Sequence, residues 1–179
     1  MVTVVIRPAR ASDLPHCLAI DPGFTTDHVW QMDRRLQDGQ VAVVFRSVRL
    51  PRSMRVAYPR DAQSLSTAWR SCDALWVAED GRGIVGYAAL LKRAAQSTAW
   101  LNDLVVASSA RREGVGRALL AAAGRWGREQ GLKWLILEVQ TKNYPAICFC
   151  QKHGLGFCGF NDRYFANQDI ALFFAQALR

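Results

Sequence analysis

The sequence has few acidic residues, no long apolar run and no N-terminal pattern typical of a secretory leader, and each absence narrows the choice of function. Its 179 residues include 15 Asp and Glu against 23 Lys and Arg, a formal net charge of +8. No apolar run approaches membrane-spanning length, and the N-terminus has no basic region followed by a long apolar core. We therefore expect neither a membrane partner nor secretion.

Metal-ligand spacing is also lacking. The five cysteines form no repeated pair, and an odd number of cysteines is typical of reduced thiols in a cytoplasmic protein. Cys148, Cys150 and His153 lie close together in the sequence, but no second ligand pair accompanies them. We predict a cytoplasmic protein without a bound metal.

Length and composition favour one globular domain over residues 1–179. Half of the residues are hydrophobic and 21% are charged, which is typical of a folded chain with a sizeable core. The sequence contains no linker, repeat or low-complexity tract. It leaves open whether the chain forms a homodimer.

The positive charge favours anionic partners, either nucleic acid or a ligand with several phosphates. Five arginines lie in the stretch from Arg46 to Arg60 that contains Pro51 and Pro59, at positions 46, 49, 52, 55 and 60. Charge runs usually lie on solvated surfaces, and no RNA-binding motif accompanies this one. We interpret it as a solvated loop or edge ribbon and do not expect a nucleic-acid partner.

Hydrophobic periodicity and turn residues predict a mixed α/β order of elements. We expect strands at 2–7, 41–48, 74–79, 84–91, 98–106 and 134–139, and a closing hairpin of 157–160 with 169–174. We expect a first helix that begins near residue 9 and a second that runs from a Thr26-Asp27 cap to about Leu36. Three further helices are expected: one at 61–70, one from just after residue 114 to about Gln130, and one at 143–153. The strand–helix–strand connection makes 98–106 and 134–139 parallel neighbours.

A strand, a glycine-rich turn and a helix between Leu101 and Trp126 form the central stretch. Glycines at 114 and 116 remove side chains where the chain enters the helix, so that backbone amides at the positive end of the helix dipole are accessible to an anion. The spacing fits neither a P-loop nor the dinucleotide-binding fingerprint. It reads R-x-x-G-x-G.

This motif resembles the acetyl-CoA signature of the GNAT acetyltransferases. A second block has the right order and separation: Asn143-x-x-Ala146-x-x-Phe149-Cys150-Gln151-Lys152, ending in Gly154 and Phe157. The resemblance covers about 77–160 well and the N-terminal third loosely. Within the superfamily, Gly-Phe-Asn-Asp at 159–162 and Asp-Ile-Ala-Leu at 169–172 resemble streptothricin acetyltransferases.

The resemblance implies a GNAT-like domain, with a mixed, mostly antiparallel sheet, a central splayed parallel strand pair and flanking helices. It implies that the protein transfers the acetyl group of acetyl-CoA. The acetyl-CoA would be bound by Asn143, by Phe149 and by the two groups of residues described next. Backbone of Leu104, Val105 and Val106 would hold the pantetheine arm. Amides of Arg111, Arg112, Glu113, Gly114, Val115, Gly116, Arg117 and Ala118 would hold the pyrophosphate. Asn143 could also be a helix N-cap.

The catalytic groups are less settled, because Cys150 stands where the family usually has a tyrosine acid. Cys150 is either that acid or a small buried hydrophobe, and Tyr164 or water could replace it. Asp103 and Glu138 are the candidate bases, although either could be structural and a water chain could relay the proton.

The acceptor cannot be read from these motifs. We expect a primary amine on a small cationic molecule, such as a streptothricin-type antibiotic. A protein N-terminus or lysine is the alternative acceptor. A catalytically impaired CoA-binding regulatory module is the alternative to an enzyme.

Overall fold

The computed structural model describes residues 4–60 and 62–179. Its strands are β1 (Val5–Pro8), β2 (Phe24–Gln37), β3 (Gln40–Val56), β4 (Ala74–Asp80), β5 (Gly83–Arg93), β6 (Thr98–Val106), β7 (Trp134–Gln140), β8 (Gly156–Asn161) and β9 (Ala171–Ala177). Its α-helices are α1 (Leu14–Leu18), α2 (Ala62–Ser71), α3 (Val115–Glu129) and α4 (Tyr144–Lys152).

Seven strands form one sheet in the order β1-β4-β5-β6-β7-β9-β8. Neighbours pair antiparallel except β6 and β7, which α3 connects and which run parallel. A parallel pair needs such a crossover, whereas hairpins can join the other strands. The expected α/β fold class, with one parallel pair inside a mostly antiparallel sheet, is confirmed.

Helices cover both faces of this sheet. Residues of α3 and α4, including Leu119 and Ile147, pack against Leu101 and Leu137 in the larger core cluster. On the opposite face, α1 and α2 contribute Cys17 and Leu65 to a smaller cluster. The two layers leave room for a site where the central strands separate.

The predicted helix from Thr26 to Leu36 is wrong, since these residues belong to β2. β2 and β3 form a separate two-stranded ribbon in which Gln37 pairs with Gln40. Asp38 and Gly39 between them have φ angles of 52° and 76°, the left-handed conformation of a tight hairpin turn. Pairing across this Asp-Gly turn overrides the helix-cap pattern.

The remaining predicted elements occur, with shifted ends. β3 is much longer than the expected 41–48, and its pairing shifts between Thr26 and His28, opposite the segment that contains Pro51. The first strand was expected from Val2, but residues 1–3 lie outside the described residues, as does Asp61 at the expected start of α2. The arginine run lies largely on β3, where four of its five members are exposed.

Four further observations concern the described residues. Among them, no helix is both long and apolar enough to cross a membrane. The same residues contain no group of three or more His, Cys, Asp or Glu side chains arranged to hold a metal ion. All five cysteines are free thiols. Aromatic contacts join Trp30 and Phe45 of the ribbon to Phe157 and Phe174 of the main sheet.

Candidate active site

The site begins where β6 and β7 separate. Their parallel pairing runs from Thr98 with Trp134 to Leu101 with Leu137 and extends no further along either strand. β6 continues to Val106 along β5, and β7 continues to Gln140 along β9. The gap between the two strand ends exposes backbone donors and acceptors, so it can bind an extended chain that itself carries amides.

The predicted pantetheine residues lie on the β6 side of this gap. Leu104 and Val106 pack toward the helix α3 side of the sheet, and Val105 packs toward α1 and α2. The Val106 carbonyl already accepts a bond from Arg111 Nε at 3.0 Å. Arg111 also donates to the Gly23 carbonyl at 2.9 Å, and burial lowers the pKa of its guanidinium. Its side chain therefore ties the turn to the segment after α1.

The turn before α3 forms an anion cradle. Arg112 and Gly114 both have left-handed φ angles, 67° and 89°. Ala118 donates to the Gly114 carbonyl at 3.0 Å, so the amides that precede it in the first turn have no intrahelical acceptor. Arg112 and Arg117 are exposed beside them. The cradle fits a pyrophosphate, which needs several N–H donors and positive charge.

Other residues of the predicted cradle have structural partners. The Glu113 carboxylate accepts a bond from Arg82 at 2.7 Å, and Val115 is buried in the core. Gly116 lies against the ring of Phe149, because a Cβ there would come within 3.3 Å of the ring. Asn143 is the N-cap of α4, since its side chain accepts a bond from the Ala146 amide at 3.2 Å. Gly116 and Phe149 thus bring α3 and α4 together beside the gap.

A bulge in β6 directs Asp103 away from the α3 side. Ala89 pairs with Asp103 and Leu90 pairs with Leu101, so Asn102 is an extra residue in β6. The extra residue reverses the alternation of side chains, and Asp103 then faces the cleft beside α1. The Tyr58 hydroxyl donates to Asp103 Oδ1 at 2.8 Å and Asn102 Nδ2 donates to Oδ2 at 3.0 Å. Burial, with Asp103 beside it, raises the pKa of Tyr58 well above its usual value.

Glu138 lies on β7 at the same end of the gap. Trp100 Nε1 donates to its Oε2 at 3.0 Å, and the Tyr164 hydroxyl donates to the same oxygen. The side chain of Glu138 is only 1% exposed. A carboxylate buried this deeply needs charge-assisted partners.

Arg60 joins the two carboxylates. Its Nη1 lies 3.4 Å from Asp103 Oδ1, and its Nη2 forms an ion pair with Glu138. Nη1 also donates to the Asn102 carbonyl at 2.8 Å. The structure therefore brings together Asp103, Glu138 and Tyr164 of the predicted catalytic residues.

The loop between β8 and β9 positions Tyr164. Its ring makes edge contacts with Phe165 and Phe173 at centroid distances of 5.2 and 5.5 Å. Farther along the loop, the buried Asp169 accepts bonds from Gln140 at 2.7 Å and from Lys142. These bonds fix the loop to β7, the strand that carries Glu138.

Cys150 lies apart from this group. It is fully buried in the larger core cluster, and burial raises the pKa of its thiol to about 12. The backbone carbonyl of Cys150 accepts bonds from His153 and Leu155 where α4 ends. Its surroundings are those of a packed core residue.

Sequence reasoning missed Arg60, Tyr58 and Trp100. Arg60 was grouped with four arginines of the ribbon, although it follows the end of β3 by four residues. The signal that could have separated it is Tyr58-Pro59, which interrupts the strand pattern just before Arg60. Nothing in the local sequence indicates that its side chain reaches two carboxylates far along the chain.

Two clefts lie beside Arg60. One, of about 560 Å³, is bordered by α1, the segment after it, the end of β3 and Asp103. The other, of about 370 Å³, lies between α2 and β6. Arg60 lines both.

Comparison with known proteins fits this geometry. The model of the Acetyltransferase (GNAT) family matches residues 46–157, which is more than half of the chain. The chain belongs to this family. It is an acetyltransferase of GNAT type, and the splayed strands and the cradle before α3 are its expected donor site.

The similar proteins include two whose names specify a substrate. A streptothricin acetyltransferase of Streptomyces lavendulae is 30% identical over 165 residues, covering 89% of this chain and 85% of that protein. The crystal structure of a nourseothricin acetyltransferase has a TM-score of 0.85 at 25% identity, covering 98% of this chain and 99% of that one.

A further solved structure carries a ligand. It is a Bacillus anthracis (strain Ames) protein, provisionally named a streptothricin acetyltransferase, in complex with acetyl coenzyme A. Its TM-score is 0.80 at 22% identity, with 99% of both chains covered. This likeness shows that the two proteins share a fold.

Proposed function

We propose that this GNAT acetyltransferase transfers the acetyl group of acetyl-CoA to a primary amine of a small cationic molecule of the streptothricin class. One observation carries the proposal. Asp103 and Glu138, with side chains only 3% and 1% exposed, together hold a guanidinium at the end of the strand gap. Two buried carboxylates that share one organic cation form a site suited to a cationic acceptor.

The similar proteins support this substrate class. The streptothricin acetyltransferase of Streptomyces lavendulae aligns along 89% of the chain at 30% identity. The fold shared with the acetyl coenzyme A complex supports the donor. Acetyl-CoA supplies an acetyl group activated as a thioester.

Tyr164 and Glu138 can supply both proton transfers. The amine nitrogen bonds to the acetyl carbon while the carbon–sulfur bond breaks, so one proton leaves the nitrogen and one is needed at the sulfur. Glu138 accepts the proton from the amine, directly or through water. Tyr164, hydrogen-bonded to Glu138, donates its proton to the departing thiolate and regains one from the Glu138 carboxyl. The pair then returns to its starting state.

The remaining residues bind and orient. The α3 cradle binds the pyrophosphate, and the backbone of 104–106 aligns the pantetheine arm in the gap. Asp103 holds the acceptor's cation beside the reacting amine. Tyr58 orients Asp103 and Trp100 orients Glu138, each by donating one hydrogen bond to the carboxylate.

A direct assay tests the proposal. The purified chain is incubated with acetyl-CoA and, separately, a streptothricin, a lysine-containing peptide and a peptide with a free N-terminus, and the release of CoA thiol is followed. We expect turnover with the streptothricin and at least about a hundredfold lower kcat/KM with the peptides, because the carboxylate pair favours a small acceptor that carries more than a single ammonium group. Faster turnover of either peptide would contradict the acceptor, and no turnover with any amine would favour a CoA-binding module.

Glu138→Gln tests the catalytic assignment in the same assay. Loss of a general base should lower kcat by about a hundredfold or more, with little change in KM for acetyl-CoA. Glu129→Gln at the exposed end of α3 is the matched control and should keep wild-type kcat. Wild-type turnover in Glu138→Gln would show that the proton leaves by another route.

A further inference from the structure

The guanidinium of Arg60 lies where an acceptor's cation would have to bind. It contacts Asp103 and forms an ion pair with Glu138, and its side chain is 19% exposed. One positive charge of the chain itself is thus shared between the two carboxylates. The Arg60 guanidinium and an acceptor's cation cannot both lie against these carboxylate oxygens, because the two groups would occupy the same space and their like charges would repel.

We propose that Arg60 is a specificity-determining residue that competes with the acceptor, and that an acceptor must displace its guanidinium from Asp103 and Glu138 in order to bind. The inference rests on the proposed function, since it takes the carboxylate pair as the acceptor site. It adds a selection rule that the fold alone does not give.

The position of Arg60 allows this displacement. The segment 57–60 is neither helix nor strand and connects the end of β3 at Val56 to α2. Arg60 lines both the cleft beside α1 and the cleft beside α2. Its long, unbranched side chain can therefore swing from the carboxylates into the cleft beside α2. In that position it no longer blocks the cleft beside α1.

Competition with Arg60 makes acceptor binding depend on the number and shape of the acceptor's cationic groups. Arg60 reaches both carboxylates with two different nitrogens, and a single ammonium would satisfy them less well than this planar group does. An acceptor with a guanidinium, or with two ammonium groups, can replace it fully. Simple monoamines pay the cost of displacement without that compensation, so they bind weakly.

Binding of methylguanidinium tests the inference without any turnover. The probe has the head group of arginine but no primary amine to acetylate. We expect Arg60→Met to be stabilised against heat by millimolar methylguanidinium chloride, whereas the wild-type protein is not, because its site is already filled. No probe binding to Arg60→Met, measured by thermal shift and by calorimetry, would overturn the proposal.

Steady-state kinetics supply the second readout. In Arg60→Met the KM for a streptothricin should fall by about tenfold, because the binding-competent fraction rises, while the KM for acetyl-CoA stays unchanged. Methylguanidinium should inhibit this variant competitively against the acceptor. If kcat instead falls and methylguanidinium restores it, Arg60 positions the carboxylates and does not compete.

Control variants complete the design. Arg46→Met removes an exposed arginine of β3 whose partner is Asp33, and it should behave as wild type in both measurements. Arg60→Lys keeps a cation that cannot bridge the pair, and should lower the KM in the same direction by a smaller factor. If neither Arg60 variant folds, Arg60 is required for the stability of the fold and the proposal is wrong. If no amine is acetylated but methylguanidinium still distinguishes Arg60→Met from wild type, the proposed function fails and the competition stands.

Discussion

At the scale of the residue, Cys150 occupies the position where the family pattern has a tyrosine. It is fully buried, and burial raises the pKa of its thiol to about 12. A CoA thiol should titrate near free cysteine, at roughly 8.5, so a proton would have to move uphill from Cys150 to the departing thiolate. Tyr164, which already donates to Glu138, is the better placed donor.

Replacing each of the two residues should separate these roles. Cys150→Ala should keep kcat within about tenfold of wild type, because general acid catalysis is usually worth about a hundredfold or more. It should lower the free energy of unfolding by about 1 kcal/mol, since one buried heavy atom is lost. Tyr164→Phe should lower kcat by about a hundredfold or more. The measurements are initial rates and urea unfolding.

Cys150→Ser controls for packing, because it keeps the volume of the side chain but buries a hydroxyl. If both Cys150 variants fold, bind acetyl-CoA normally and still lose several orders of magnitude in kcat, while Tyr164→Phe stays active, then the thiol is the acid.

The residues that sequence reasoning found and missed differ in a physical way. Asp103 and Glu138 are on strands that local patterns predict, at fixed positions relative to recognisable turns. Arg60 acts only through contacts with strands 43 and 78 residues away. Local propensity carries no information about such contacts. Arg60 was therefore assigned to the solvated ribbon on composition alone, and its contacts with the two carboxylates were not predicted.

At the scale of the element, the turn before α3 is the proposed cradle for the pyrophosphate of acetyl-CoA. Ligand binding to the folded state alone must stabilise that state, so acetyl-CoA should raise the Tm of the wild-type protein. Gly116→Val should abolish most of this rise, because the added side chain meets the Phe149 ring and crowds the first turn of α3. Differential scanning fluorimetry with and without acetyl-CoA measures the effect.

The matched control for this prediction is Gly81→Val. Gly81 lies in an open hairpin turn where an added Cβ meets nothing within 4 Å. The control should keep the full rise in Tm. An unchanged rise in Gly116→Val would remove the phosphate site from this turn.

Element prediction failed only where pairing decided the outcome. The segment 26–36 has a helix-cap pattern, yet Asp38-Gly39 fixes a two-residue turn that pairs it with β3. A segment of a ribbon becomes a strand because it pairs with another strand. That other strand lies too far along the chain to affect a prediction made from a helix-cap pattern of a few residues. The α3 and α4 boundaries were predicted well because glycine, proline and asparagine caps act within a few residues.

At the scale of the whole molecule, the parallel pairing of β6 with β7 and the closing hairpin of β8 with β9 could be predicted, because rules for crossovers and short connections are local enough to apply to a sequence. The candidate site did not follow. It takes residues from the segment after β3, from β6, from β7 and from the loop before β9, and only the folded chain places them together. The family pattern could point to a pyrophosphate site because the proposed cradle is one continuous turn.

The β2–β3 ribbon has a consequence for how the molecule breaks down. Its aromatic anchor lies at the base, where Trp30 and Phe45 pack against the rings of the main sheet. Farther out, Arg34 forms an exposed ion pair with Asp162 at 4.0 Å, which stabilises little. Toward the Asp38-Gly39 turn the side chains are bare, with Leu36 73% and Val41 61% exposed. Local opening is least costly where few apolar contacts are lost, so the outer ribbon should fray while the seven-stranded sheet stays intact.

Trypsin should therefore nick the native protein first in the outer ribbon, after the exposed Arg34 or Arg35. The two fragments should co-elute on gel filtration, because strand pairing and the aromatic anchor still hold them. Mass spectrometry of a short digest identifies the cut, and amide hydrogen exchange should be fastest over the same residues. The seven-stranded sheet would then be protease-resistant while the outer ribbon is cleaved. A first cut within the seven-stranded sheet would show instead that the ribbon and the sheet unfold together.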